Sequence, residues 1–363
     1  MNRHGFTRDK HFIKNLAKTK RHEIHVIQHT QPYQNKILSF INPPLLMESF
    51  KDWTIFKDGI YHHHLRHVYF TRFHQILKFN NLLFKKSIKK IVKEYKIEVM
   101  ICGPNHYLHG YPPANLGIPL IFDYLDFLHD FKDPNRENTE ILSGYYKKAT
   151  KILCISKTLI ESMPPEYKEK SVYLPNGVDL EYYKSYKSTK KRSDIKYISL
   201  IGISISESLF YLDILPKLKE KIGDTKLLLV GGGPRLPQIV KYIKQKKNRE
   251  DYILEGFIPY EKIRKYFYLT DVGLYPTLKN RYYDSACPLK VFEYSAAGKP
   301  VVSTGLEELK RLKFPNVFLA NPTPKDFINK ISDAINYHGS FPNLNNFTWE
   351  NLTRKLEDIL KNI

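Results

Sequence analysis

Short apolar, β-branched runs alternate with longer amphipathic stretches along the chain. This is the pattern of strand–helix–strand units that build parallel sheets covered by helices. In the first half, the runs at 23–28, 36–41, 97–102, 118–122, 151–155 and 171–174 predict strands. A charged stretch at 184–194, KSYKSTKKRSD, interrupts the series and reads as a linker. A second series follows at 197–201, 226–230, 252–254, 272–275, 300–304 and 317–319, with helical patterns between its members. The fold class this predicts is α/β, with two Rossmann-like, doubly wound domains facing across a cleft where a ligand binds. The expected boundaries are an N-terminal domain over 1–184, a linker over 185–195, a second domain over 196–345 and a closing helix over 346–363. Turn-like Gly5 and a helix near 8–20 arrive with no strand before them, so the expectation is either a late recorded start or an N-terminal sheet short of its first strand.

Within that pattern, Phe73, Leu77, Phe84, Ile88 and Ile91 recur at helical spacing through 70–95, while Lys78, Lys85, Lys86, Lys89, Lys90 and Lys93 crowd the remaining surface. Two readings stay open. A basic amphipathic helix can lie on anionic lipid, and a sheet-covering helix with a lysine-rich outer face has the same pattern.

Composition narrows the class. At 363 residues the chain is too long for one compact core and suits two domains. Hydrophobic residues at 42% and charged residues at 26% mark it as globular rather than disordered. No apolar run approaches the roughly 18 residues that span a bilayer, and MNRHGFTRDKHF offers no apolar stretch for a secretory signal. Cys102, Cys154 and Cys287 are odd in number and far apart, which argues against a disulfide or zinc scaffold and for the cytoplasm. The net charge of +21 favours polyanionic partners: nucleic acid, anionic lipid or phosphorylated small molecules. Lysine enrichment throughout the chain accounts for part of it. No Arg-rich or aromatic-interleaved recognition motif is present, which counts against nucleic acid.

The most informative stretch is YYDSACPLKVFEYSAAGKPVVST at 282–304. Pro288 suits a first helical turn, where its missing N–H costs nothing. Gly298 suits the position after the last turn, and Lys299–Pro300 ends the helix before a buried strand. The free N–H groups and dipole of such a helix start make a phosphate site. Lys290 and Glu293, three apart, share one face. A cation near phosphates and a carboxylate accepting from ribose hydroxyls would serve a nucleotide; an ordinary surface Lys–Glu pair has the same spacing.

PLKVFEYSAAGKPVVST resembles the donor-binding segment of glycosyltransferase family 4, the group 1 glycosyltransferases of GT-B architecture. ATKILCIS (149–156), LPNGVD (174–179), LLLVGGGP (227–234), DVGLYP (271–276) and FTWENL (347–352) resemble further family segments in the same order. The resemblance implies a retaining transfer of a hexosyl group from a UDP- or GDP-sugar to a glycan or lipid-linked acceptor. It implies no bound metal and no cofactor. The donor would be held by Asp284, Ser285, Ala286, Leu289, Lys290 and Glu293, with Gly232 and Gly233 at the glycine turn and Glu293 on the ribose. The acceptor would bind the N-terminal domain, and the protein would be cytoplasmic, peripheral on the inner face of a membrane.

The sequence also departs from the family. Where many members carry a glutamate seven residues before Glu293, this chain has Ser285, with Asp284 beside it. The stretch 200–209, LIGISISESL, lacks the basic residues often found after the first strand of the donor domain. Lys290, the helix start and the glycine turn are left to hold the phosphates, with Lys279 and Arg281 as possible helpers. In the N-terminal domain, Asp123 and Asp126 follow one strand and His106 and His109 another. His106, His109 and Asp126 are the catalytic candidates, each also readable as a plain loop residue. His63 and His67 stand four apart but lack a carboxylate or cysteine companion, so no metal site is expected. Two alternatives remain: a catalytically degenerate relative and a basic nucleic-acid-binding protein.

Overall fold

The structure is a computed structural model that describes residues 8–28, 52–66, 74–103, 115–125, 136–184, 194–202 and 209–363. The strand expected at 36–41, residues 185–193 of the expected linker and residues 203–208 of the stretch poor in basic residues lie outside them. The chain divides into two compact units. An N-terminal unit takes Asp9–Cys154, Met163–Tyr173 and Lys355–Ile363; a C-terminal unit takes Met1–Arg8, Ile155–Ser162 and Leu174–Arg354.

The N-terminal unit opens with a helix, Arg8–Thr19, whose His11, Phe12, Asn15 and Leu16 form one buried stripe. Strands β1 (Ile24–Gln28), β2 (Trp53–Lys57) and β3 (Ile60–His64) form a sheet in the order β1-β3-β2. The sequence reading did not foresee β2 and β3. They pair antiparallel across Asp58 and Gly59, whose φ values of +54° and +78° match a two-residue hairpin turn that follows strand twist. A second sheet holds β4 (Met100–Cys102), β5 (Leu120–Tyr124), β6 (Lys151–Cys154) and β7 (Ser171–Tyr173), all parallel and in sequence order. Ile121, Phe122, Tyr124, Ile152 and Leu153 are sealed inside this unit. The amphipathic pattern at 70–95 is a helix over His74–Glu94, with Phe84 and Ser87 buried and Lys85, Lys86, Lys89, Lys90 and Lys93 exposed.

The C-terminal unit carries a single six-stranded parallel sheet of β8 (Lys196–Ile201), β9 (Thr225–Val230), β10 (Tyr252–Gly256), β11 (Val272–Tyr275), β12 (Val301–Thr304) and β13 (Val317–Ala320). Their spatial order is β10-β9-β8-β11-β12-β13. Renumbered within the sheet this is 3-2-1-4-5-6, the doubly wound dinucleotide order, which reverses direction between its first and fourth strands. β8 and β11 flank that switch point, and ligands bind outside the carboxyl ends of strands there. Helices Leu215–Ile222, Leu236–Lys244 and Pro324–Ala334 cover the sheet and join one apolar cluster with Ile198, Leu200, Leu227, Leu229, Val272 and Leu274. Because both faces are covered, these strands read as continuous apolar runs such as LLLV. The unit also contains helices Lys157–Ser162 and Leu180–Lys184.

Candidate functional site

The helix after β11 runs over Leu289–Ala296. Pro288 stands at its N-cap with φ −75° and ψ 99°, one step outside the first turn where the sequence reading put it. At the other end the Lys299 amide donates to the Tyr294 carbonyl at 2.9 Å and the Gly298 amide to Ser295 at 3.0 Å. These two bonds and φ +69° at Gly298 form a Schellman stop. Strand-to-helix order places the helix start at the carboxyl edge of the sheet, beside the switch point, where unsatisfied N–H groups and the dipole favour an anion.

Tyr294 locks the helix onto that switch point. Its hydroxyl donates to the Ser199 carbonyl at 2.8 Å and accepts from the Ile201 amide at 3.0 Å, both on β8. Its ring lies on Gly273 of β11, where any Cβ would sit 2.6 Å from ring atoms. A glycine at 273 is therefore required for the helix to approach this closely.

Lys290 and Glu293 do face each other. Nζ lies 2.6 Å from Oε2, with the lysine side chain 21% and the glutamate side chain 11% exposed. The approach is off the hydrogen-bonding directions, so Oε2 is ion-paired yet has no directed donor. Lys290 Nζ also stands 5.8 Å above the Phe267 ring. Around this pair lie tyrosines that the sequence reading did not name. Tyr183 is fully buried, and its phenol pKa is raised well above 10.0 by burial and then by the Glu293 charge. Tyr260 is raised for the same two reasons in the same order, with Asp179 adding to them. Tyr182 stacks on Tyr260 at 4.9 Å and donates its hydroxyl to the Tyr260 carbonyl.

The loop before the helix is pinned by two residues quoted above only as family motif. Ser156 Oγ donates to the Ser285 carbonyl at 2.6 Å. Asn176 Nδ2 donates to the Cys287 carbonyl at 2.8 Å, and the Asn176 amide reaches Cys287 Sγ at 3.4 Å. Ser285 is 1% exposed, its own hydroxyl donating to the Tyr282 carbonyl at 2.9 Å; Ala286 and Leu289 are half-buried. Burial pushes the Cys287 thiol up to about 12, so it is a buried neutral group and not a nucleophile. Asp284 is held by Lys279 at 2.9 Å and by the Glu307 amide at 3.2 Å. Lys279 also donates to the Gly305 carbonyl at 2.7 Å and pairs with Glu307 at 3.1 Å. Both residues thus brace the loop.

Gly232 and Gly233 occupy the turn after β9, anchored where the Gly231 amide donates to the Gly256 carbonyl at 2.8 Å. Gly232 packs against Phe257, whose ring is 55% exposed just past β10. His106, His109 and Asp126 lie outside the described residues; Asp123 is the half-buried fourth residue of β5. His67 is likewise outside. His63 is bound between Thr54 Oγ1 and His25 Nδ1, both at 2.8 Å. Among the described residues, no three His, Cys, Asp or Glu gather in a way that could hold a metal ion.

This sheet order, with a helix start at the switch point, sits in a chain whose fold is that of the GT-B glycosyltransferases. Sucrose-phosphate synthase from Thermosynechococcus elongatus superposes with a TM-score of 0.70 at 13% identity, covering 98% of this chain and 92% of that one. Anabaena HepE in complex with UDP gives 0.67 at 14% identity, over 100% and 98% of the two chains. Such identities speak for the fold alone. The sequence points the same way: residues 199–336 match the group 1 glycosyl transferases. TuaH of Bacillus subtilis (strain 168), provisionally described as a teichuronic acid biosynthesis glycosyltransferase, is 27% identical over 206 residues. The match takes 53% of this chain and 50% of TuaH, so the chain spans about half the length of that curated relative.

Proposed function

We propose that the protein is a retaining glycosyltransferase that moves a hexosyl group from a nucleoside-diphosphate sugar, UDP- or GDP-linked, to a glycan or lipid-linked acceptor. The observation that carries this reading is the Lys290–Glu293 pair, 2.6 Å apart on a helix bolted at the switch point. The helix start and Lys290 would neutralise the diphosphate, and Glu293 would accept from the ribose hydroxyls. The glycine turn and the loop Asp284–Pro288 would enclose the rest of the donor. In the transfer, the bond between the anomeric carbon and the diphosphate oxygen breaks while the acceptor oxygen bonds to that carbon. The acceptor proton passes to the departing phosphate, which needs no protein base. His106 or His109 would contact the transferred sugar, and Asp126 is the third catalytic candidate. A lysine and a helix start together supply the charge that a metal would otherwise supply.

The HepE–UDP complex and the family match support a nucleotide-sugar donor. The description of TuaH as a glycosyltransferase of teichuronic acid biosynthesis supports a role in glycan biosynthesis. No described helix is long and apolar enough to cross a membrane; the exposed lysines of His74–Glu94 support contact with an anionic surface. A thermal-shift panel of UDP- and GDP-sugars, run on the wild type and on Glu293→Ala with and without EDTA, tests the proposal. One donor class should stabilise the wild type, equally in EDTA, and fail to stabilise the variant. Equal stabilisation of both proteins would remove Glu293 from the site.

A further inference from the structure

Two polar atoms beside the donor helix are sealed from solvent without a well-directed partner: the Tyr183 hydroxyl and Glu293 Oε2. They gather at one ring: Tyr183 packs edge-on to Phe267 at 5.2 Å, and Lys290, 2.6 Å from that Glu293 oxygen, stands 5.8 Å above the same ring. A sealed hydroxyl normally finds a partner, because leaving one unmade is costly. The neighbours of Tyr183 fix its aim. Its ring meets Phe267 edge-on at 5.2 Å and Tyr182 at 5.1 Å, and its carbonyl accepts from the Tyr268 hydroxyl. Its short helix is set by Asp179, whose Oδ1 accepts from the Tyr182 amide at 3.0 Å.

We propose that Tyr183 is a positioning residue for donor binding: its hydroxyl, together with Lys290, holds Oε2 of Glu293 and turns the other oxygen, Oε1, toward the ribose hydroxyls of the nucleotide. The inference rests on the donor reading given above. The phenol stays protonated at working pH, because burial and the adjacent carboxylate both raise its pKa, so it is a permanent donor. Lys290 alone cannot fix the carboxylate, since its approach is off-axis and its ammonium is also needed at the phosphates when the site fills. Tyr183 leaves one oxygen anchored when Lys290 turns to the diphosphate. Pre-orientation of this kind improves affinity without adding a contact to the ligand.

The test compares wild type, Tyr183→Phe and Glu293→Ala for UDP and GDP, each against its 2′,3′-dideoxy analogue, by calorimetry. Phenylalanine keeps the ring contact with Phe267, so a melting temperature at or above that of the wild type is expected. Tyr183→Phe should weaken the ribonucleotide that binds by roughly tenfold, the order of a hydrogen bond to a charged group. It should leave the dideoxy analogue within about twofold of the wild type. A purely structural role for the ring would weaken both ligands alike and overturn the proposal, as would a variant that binds like the wild type. If Glu293→Ala binds the ribonucleotide normally, the donor reading itself falls and this inference falls with it. If Glu293→Ala loses affinity while Tyr183→Phe does not, only the role of Tyr183 is refuted.

Discussion

Asn176 donates its side-chain amide to the Cys287 carbonyl at 2.8 Å, and 111 residues of chain separate the two. That bond, with the one from Ser156 to Ser285, fixes the loop that leads into the helix Leu289–Ala296. Asn176→Ala leaves the buried Cys287 carbonyl without this donor, at a cost of about 1–3 kcal/mol. Ser156→Ala also removes the oxygen that caps the Leu159 amide at 3.1 Å. Each variant should lower nucleotide affinity more than it lowers the melting temperature, because the loop is not the core. Parallel titrations and melts check this; unchanged affinity in both variants would show that the loop needs no pins.

Gly273→Ala forces a methyl group into the Tyr294 ring at 2.6 Å. Overpacking of a sealed site costs about 1–3 kcal/mol, and here the helix is also pushed off the switch point. Lost or sharply weakened nucleotide binding with a lower melting temperature is expected. Tyr294→Phe keeps the ring but strands the Ser199 carbonyl and the Ile201 amide, so it too should destabilise. Wild-type melting of both variants would contradict the packing described for this helix.

His63 supplies a pH dependence. Burial lowers its pKa below 6.5, and the neighbouring His25 and His62 lower it further, while Glu94 opposes them. The unfolded chain therefore takes up this proton at higher pH than the folded one. The stability tied to neutral His63 is complete above pH 6.5 and declines as pH falls toward the folded pKa. Thr54 and His25 fill its two ring nitrogens, and His25 in turn meets Glu23 at 2.8 Å. Melting curves between about pH 8 and pH 5 should fall more steeply for the wild type than for His63→Gln. Parallel slopes would place the acid sensitivity elsewhere.

The lysine face of His74–Glu94 yields a fourth expectation. Each exposed lysine near an anionic surface adds about 1 kcal/mol of attraction, screened over a Debye length of roughly 10 Å at 0.1 M salt. Binding to anionic vesicles should fade with salt, vanish when Lys86, Lys89, Lys90 and Lys93 become glutamate, and be slight on neutral lipid. Nucleotide binding should survive the change. A wild type that ignores anionic vesicles at low salt makes this an ordinary covering helix.

Legibility in the sequence followed burial and range. The strands of the C-terminal sheet were readable because both faces are covered, so every residue in a run such as LLLV is apolar. β2 and β3 were missed although WTIFK carries Trp53, Ile55 and Phe56: it is exposed along its whole length rather than built into a core, and IYHHH is histidine-rich. The Asp58–Gly59 turn between them was a signal that could have found the hairpin. Lys290 and Glu293 were legible because a helix brings i and i+3 together regardless of fold. The pins at Ser156 and Asn176 were not, since partners 129 and 111 residues away leave no mark on local spacing. Lys279 looked like a free cation for phosphate, and only the fold brings Gly305 and Glu307 to it.

The strand order of the C-terminal sheet also bears on how the proposed nucleotide site would come into being. β8 and its neighbour β9 are consecutive in the chain, but its other neighbour, β11, follows only after β9, β10 and their helices. Pairing across such a separation is slow, because the intervening loop must be closed before any contact rewards it. A half-sheet β10-β9-β8 would have its carboxyl edge but lack the switch-point crevice between β8 and β11. Ligand free energy then accrues only to the completed sheet. A donor sugar would act late, as a clamp on the finished domain, and would do nothing to guide its early assembly.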